Sequence, residues 1–177
     1  MADEIAARRS QRGPYEDLAV TCALEHFTAI MAESWLKYPE LRGQCHRDLQ
    51  ALWLWHAIEE LDHKAVAFDV YQAAGGSYRQ RVATMLFVTI GLISGISIYQ
   101  ALLMAHDNQH KDVRIWAKGL WKYWGPRGYF TKLIPSYLRY FRRDFHPWDT
   151  DDTALMAAAE AELTRLTGVR YDVPRAA

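Results

Sequence analysis

The groups best suited to chemistry lie in one short stretch, Trp53-Leu54-Trp55-His56-Ala57-Ile58-Glu59-Glu60-Leu61-Asp62-His63-Lys64. Wound as a helix at about 100° per residue, it brings His56, Glu60 and His63 within roughly 60° of one another, with Glu59 on their flank. Leu49, Leu52 and Trp53 extend that stripe one way, and Ala67, Val70 and Ala74 the other. Imidazoles and a carboxylate in an apolar face need a partner, because an unpaired buried carboxylate costs several kcal/mol. A metal ion supplies one. Oxygen and nitrogen donors without thiolate suit iron, manganese or zinc.

Helix bundles that hold a di-metal pair use one Glu from each of two helices and a Glu-x-x-His from each of the other two. Glu60-x-x-His63 matches the paired element, and Glu25, the one acid on the preceding apolar stripe, matches the single Glu. Alone, the Glu60-x-x-His63 spacing is common on solvated faces; His56 beside it and Glu25 opposite raise its weight. His56 is either a ligand or a support for one, and Glu59 reads as an orienting partner or proton carrier. Asp62 and Lys64 point away from this stripe and read as solvated. His26 lies about 100° round from Glu25, which suits a surface or interface position. Cys22 reads as a small buried thiol. His106, Asp107 and His110 read as a helix end in water, and His146, before Pro147, as part of a turn.

The elements that must position these groups are helical throughout. Pro14 opens a first helix to about Tyr38; Pro39 and Gly43 mark a loop. A second helix is expected from about Arg47 to Ala74, closed by Gly75-Gly76. The third begins near Tyr78, and its 24 residues from Val82 to Ala105 include no charge. That length suffices to cross a bilayer. Thr84, Thr89, Ser94, Ser97, Gln100 and the small Gly91 and Gly95 favour instead a central helix buried on all sides, with a span as the alternative. An amphipathic helix follows from about Lys111 to Trp124, then a basic aromatic segment from Tyr129 to Arg143 interrupted at Pro135. A last helix, capped by Thr150 or Asp152, runs to about Leu166 and Gly168. The fold class is all-α, with residues 1–13 a flexible start and 14–177 one helical domain.

Lys plus Arg equals Asp plus Glu at 21 each, so no net field recruits nucleic acid. Arg139, Arg142 and Arg143 among Tyr137, Tyr140 and Phe141 better fit lipid headgroups beside the apolar helix. Cys22 and Cys45 make no disulfide framework, and the charged start resembles no secretion signal. A cytoplasmic protein is expected, with membrane association through residues 82–105 as an added possibility.

The segments Ala23-Leu24-Glu25-His26-Phe27-Thr28-Ala29, Trp53 to Tyr71 and Phe145-His146-Pro147-Trp148 resemble a bacterial family labelled predicted metal-dependent hydrolase, with ferritin-like helices. The resemblance spans roughly Glu16 to Asp152. It implies a divalent metal and a small-molecule substrate. In a hydrolase the ion acidifies a bound water and Glu59 is placed to move protons; an oxidase or oxygenase would use a redox-active iron or manganese pair instead. The family's pattern includes an N-terminal half with a further Glu and a further Glu-x-x-His. Nothing before Pro14 matches it, so the chain resembles the C-terminal half. A full ligand set then requires a homodimer or a complementary chain, and the remaining alternative is a non-catalytic helical remnant.

Overall fold

The computed structural model describes residues 14–170, and every regular element among them is a helix. In chain order these are α1 (Pro14–Lys37), α2 (Pro39–Arg42), α3 (Gln50–Asp62), α4 (Val66–Ala73), α5 (Tyr78–His106), α6 (Val113–Trp124), α7 (Tyr129–Arg139) and α8 (Thr153–Thr167), with short 3-10 turns at Arg47–Leu49 and Pro147–Asp149. The expected start at residues 1–13 lies outside the described residues. All-α is the observed class.

The helix α1 is the hub, packing against α3, α4, α5, α7 and α8. Its buried side is small-residue rich (Ala19, Cys22, Ala23, Ala29, Ala32), which lets neighbours approach closely. Ala29, Ala32 and Leu36 meet Leu54, Ala57, Ile58 and Leu61 of α3 and Met156, Ala159 and Leu163 of α8. A second cluster joins Ala23 to Phe68, Met85, Val88, Tyr140 and Phe145, and a third joins Ala19 and Cys22 to Ala67 and Tyr71. Terminal signals act as their residue types require: Gly75 and Gly168 take left-handed backbone at φ 82° and 71°. Ser77 caps α5 by accepting from the Gln80 N–H. Pro135 lies inside α7 without ending it.

The expected helix over 47–74 is two helices. It stops at His63, whose N–H still reaches the Glu59 carbonyl at 3.2 Å, and restarts at Val66. Lys64 in that turn is not solvated but buried. Its Nζ donates to Asp152 Oδ2 at 2.7 Å and to the Thr150 carbonyl at 2.8 Å, and lies 4.6 Å from the Trp148 ring centre. The α3–α4 turn is thereby tied to the head of α8. Asp152 sits at the N-cap of α8 without capping it through its side chain, because that carboxylate is spent on Lys64.

The stripe expected to face the core is also corrected. Leu54, Ala57, Ile58 and Leu61 are buried, whereas of the expected stripe Ala67 is buried but Leu49, Leu52, Trp53, Val70 and Ala74 are exposed. Two apolar stripes share α3, and the fold buries the one without histidine. The long helix α5 differs from expectation as well. Arg81, Met85 and Val88 at its root are buried, but no residue after Val88 is. A core helix enclosed on all sides is thus not what the described residues form.

Candidate metal centre

The helix α3 presents His56, Glu59 and Glu60 on its open side, and its C-cap is His63. Each imidazole pairs with a carboxylate one turn away. His56 Nε2 lies 3.5 Å from Glu60 Oε1, and His63 Nε2 lies 3.3 Å from Glu59 Oε2. Both imidazoles are about half exposed, at 47% and 50%, while the two carboxylates are more covered. Both pairs are i,i+4, the spacing that a helix face brings together, and the His63 N–H still makes the helical bond to the Glu59 carbonyl.

Glu25 reaches the same face from α1. Its Oε2 accepts the Ala67 N–H at 3.3 Å, one of the donors that the first turn of α4 leaves without a partner. Burial pushes its carboxyl above the ordinary value of 4.5, the Ala67 N–H and then His63 pull it back, and Glu60 pushes it up again. Glu25, Glu60 and His63 therefore sit in one another's field. Because the folded chain holds this proton more tightly than the unfolded chain, stability falls as pH rises from about 4.5 through the raised value. Glu25→Gln keeps an acceptor for Ala67 and removes the charge. It should raise the melting temperature by about 1–3 °C at pH 7 and leave it unchanged near pH 4, as read by thermal unfolding at both pH values.

As a resident metal site within one chain the donors fit in type but not in number. Among the described residues no three His, Cys, Asp or Glu side chains converge as a metal would need. The face instead holds two His–Glu pairs and one partly buried acid.

The other candidates fall elsewhere. His26 is buried, not at the surface: it packs against Tyr140 and Phe145 at 4.8 and 5.3 Å, and its Nε2 lies 3.3 Å from the Ser136 carbonyl. Burial lowers its pKa to about 4, so it is a neutral donor to that carbonyl. The Cys22 thiol, buried and pushed up to about 12 by burial and then by Glu25, donates to the Ala67 carbonyl at 3.1 Å. His106 is solvent-exposed beside Asp107. His146 caps the 3-10 turn by accepting from the Trp148 N–H, and its Nε2 also meets Asp69 at 2.8 Å, a link the sequence did not suggest. Lys64, expected to be solvated, is buried. It continues the Leu54, Ala57, Ile58, Leu61 periodicity, and that spacing was the available signal. A crevice of about 650 Å³ between α2 and the α6–α7 corner has Trp35, Tyr38, Glu40 and Tyr129 in its walls, and none of the candidate ligands.

A family model described as predicted metal-dependent hydrolase matches residues 1–151. No curated protein and no solved structure matches the chain.

Proposed function

This chain belongs to the predicted metal-dependent hydrolase family, and we propose that its open α3 face is one half of a divalent-metal site in a ferritin-like assembly. Glu25, Glu60 and His63 are the ligands in this reading, and His56 binds beside them or orients them. The observation that carries it is that Glu25 on α1, although no three donors converge within one chain among the described residues, feels His63 and Glu60 electrostatically on the side of α3 that the fold leaves open. A carboxyl raised by burial, and with no Lys or Arg hydrogen-bonded to it among the described residues, is the kind of group a cation stabilises.

A second copy across a two-fold axis supplies the missing half. Pairing doubles Glu25 and Glu60-x-x-His63 into two single Glu and two Glu-x-x-His, the set that di-metal bundles use. Leu49, Leu52, Trp53, Val66 and Val70 around the ligands are exposed apolar residues that such pairing would bury. A divalent ion held by Glu25, Glu60 and His63 would supply an acidified water for hydrolysis. Glu59, which now pairs with His63 at 3.3 Å, would be the residue to carry a proton beside such a site. The substrate is a small molecule. Iron, manganese and zinc all suit the donors; a redox-active iron or manganese pair would shift the reaction to oxygen chemistry.

The test is metal content. The chain, stripped and reloaded with iron(II), manganese(II) or zinc, is expected to retain one of them through desalting, counted by inductively coupled plasma mass spectrometry. Glu60→Ala and His63→Ala should each lose it while keeping helical circular dichroism. Retention of no metal by the unmodified chain, or undiminished retention by both variants, would defeat the reading.

A further inference from the structure

Beyond Val88, α5 buries no further residue, and α6 follows it after residues 107–112. Ile90, Tyr99 and Leu103 are 67%, 72% and 63% exposed, and Ile93, Ile96, Ile98 and Leu102 are exposed as well. At about 100° per residue these seven point in every direction around the helix axis. A protein partner covers one stripe of a helix. Lipid covers all of them.

The helix α6 supplies the complementary half of the argument. Val113, Leu120 and Trp124 share one side with Trp116, and Arg114, Lys118 and Lys122 occupy the opposite side. The apolar side is not buried: Val113, Leu120, Trp121 and Trp124 are exposed. A helix with Trp and Leu on one side and cations on the other lies in the plane of a membrane interface. Lys111 and Arg127 flank it, so this α5–α6 arm carries five cations from Lys111 to Arg127 against the single acid Asp112, a match for anionic headgroups.

We propose that the α5–α6 arm docks this protein on an anionic lipid bilayer from one side only, with α5 embedded among the acyl chains of the near leaflet and α6 lying in the plane of its interface. The return path argues against a span. Helix α6 packs on α7, and α7 packs on α1, so if α5 crossed, α6 would have to return through hydrocarbon with Arg114, Lys118 and Lys122. Between arm and body, Leu92, Ile93, Ile96, Trp124, Phe130 and Ile134 line an apolar crevice of about 330 Å³ that suits an acyl chain.

The test is flotation of the full chain with phosphatidylcholine vesicles, with and without phosphatidylglycerol, read together with tryptophan emission. The chain should float with the anionic vesicles, with blue-shifted emission, and bind neutral ones at least tenfold more weakly. Ile98→Glu with Leu102→Glu, at exposed positions, should lower binding at least tenfold with unchanged circular dichroism. Lys118→Glu with Lys122→Glu should remove the preference for anionic lipid. On vesicle-bound Asn108→Cys in a Cys45→Ser background, a membrane-impermeant maleimide added outside should label the tip. A protected tip would overturn one-sided docking. A chain that ignores both vesicles overturns the proposal, as does an arm variant that merely dissociates a dimer. None of these readouts involves metal, so they stand or fall apart from the metal-site reading.

Discussion

Lys64→Ala is expected to destabilise the fold by about 3–5 kcal/mol, the cost of removing one partner from a buried ion pair. For a chain of this length that is a fall of roughly 6–20 °C in melting temperature. The side chains of Lys64 and Asp152 are only 5% and 6% exposed. Without the ammonium, the Asp152 carboxylate and the Thr150 carbonyl lose the donor now 2.7 and 2.8 Å away. The same contact holds the α3–α4 turn, and with it His63, against the start of α8. Charge burial and not volume dominates the loss, so Lys64→Met with Asp152→Ala should recover much of it, a positive coupling in a double-mutant cycle. Denaturant midpoints for the two single variants and the pair measure this. A wild-type midpoint for Lys64→Ala would mean that the ion pair is not buried as described.

Arg81→Ala should cost about 2–4 kcal/mol, through lost packing against aromatic faces and a lost charged hydrogen bond. The guanidinium is 3% exposed and lies between 4.8 and 5.5 Å from the ring centres of Phe68, Tyr78, Tyr140 and Phe145. One terminal nitrogen donates to the Arg142 carbonyl at 2.7 Å, and the other has no acceptor. The rings therefore take the place of a counter-ion. Arg81→Lys should restore little, because an ammonium neither stacks on rings nor reaches two sides of the cage at once. Arg81→Met, which refills the volume, should rank between alanine and wild type. Urea denaturation followed by far-ultraviolet circular dichroism gives the order, and a lysine variant as stable as wild type would contradict the stacked cage.

What the sequence made legible follows from local physics. Pro14, Gly75 and Gly168 mark helix ends because their backbone preferences act over a single residue. The uncharged run of α5 and the two-sided pattern of α6 follow equally from composition and periodicity. Less was legible where two stripes compete on one helix. On α3 both Leu54-Ala57-Ile58-Leu61 and Trp53-His56-Glu60-His63 run at helical spacing, and local pattern cannot decide which meets α1 and α8. Lys64 belongs to the first stripe by spacing, but its charge disguised it until Asp152, 88 residues on, came into view. His26 was misplaced for a related reason: 100° from Glu25 is the direction of Tyr140 and Phe145, which only the tertiary fold supplies. Whether α5 is covered depends on what surrounds it, which no helix encodes in itself.

The central claim is that Glu25, Glu60 and His63 form half a site that two chains close around metal. Sedimentation of the chain with and without saturating iron(II), manganese(II) or zinc, and again after chelation, tests it most directly. The account predicts a mass that doubles with one of these ions, returns to that of one chain on chelation, and does not double for His63→Ala. A mass indifferent to metal, with no ion co-sedimenting, would contradict it.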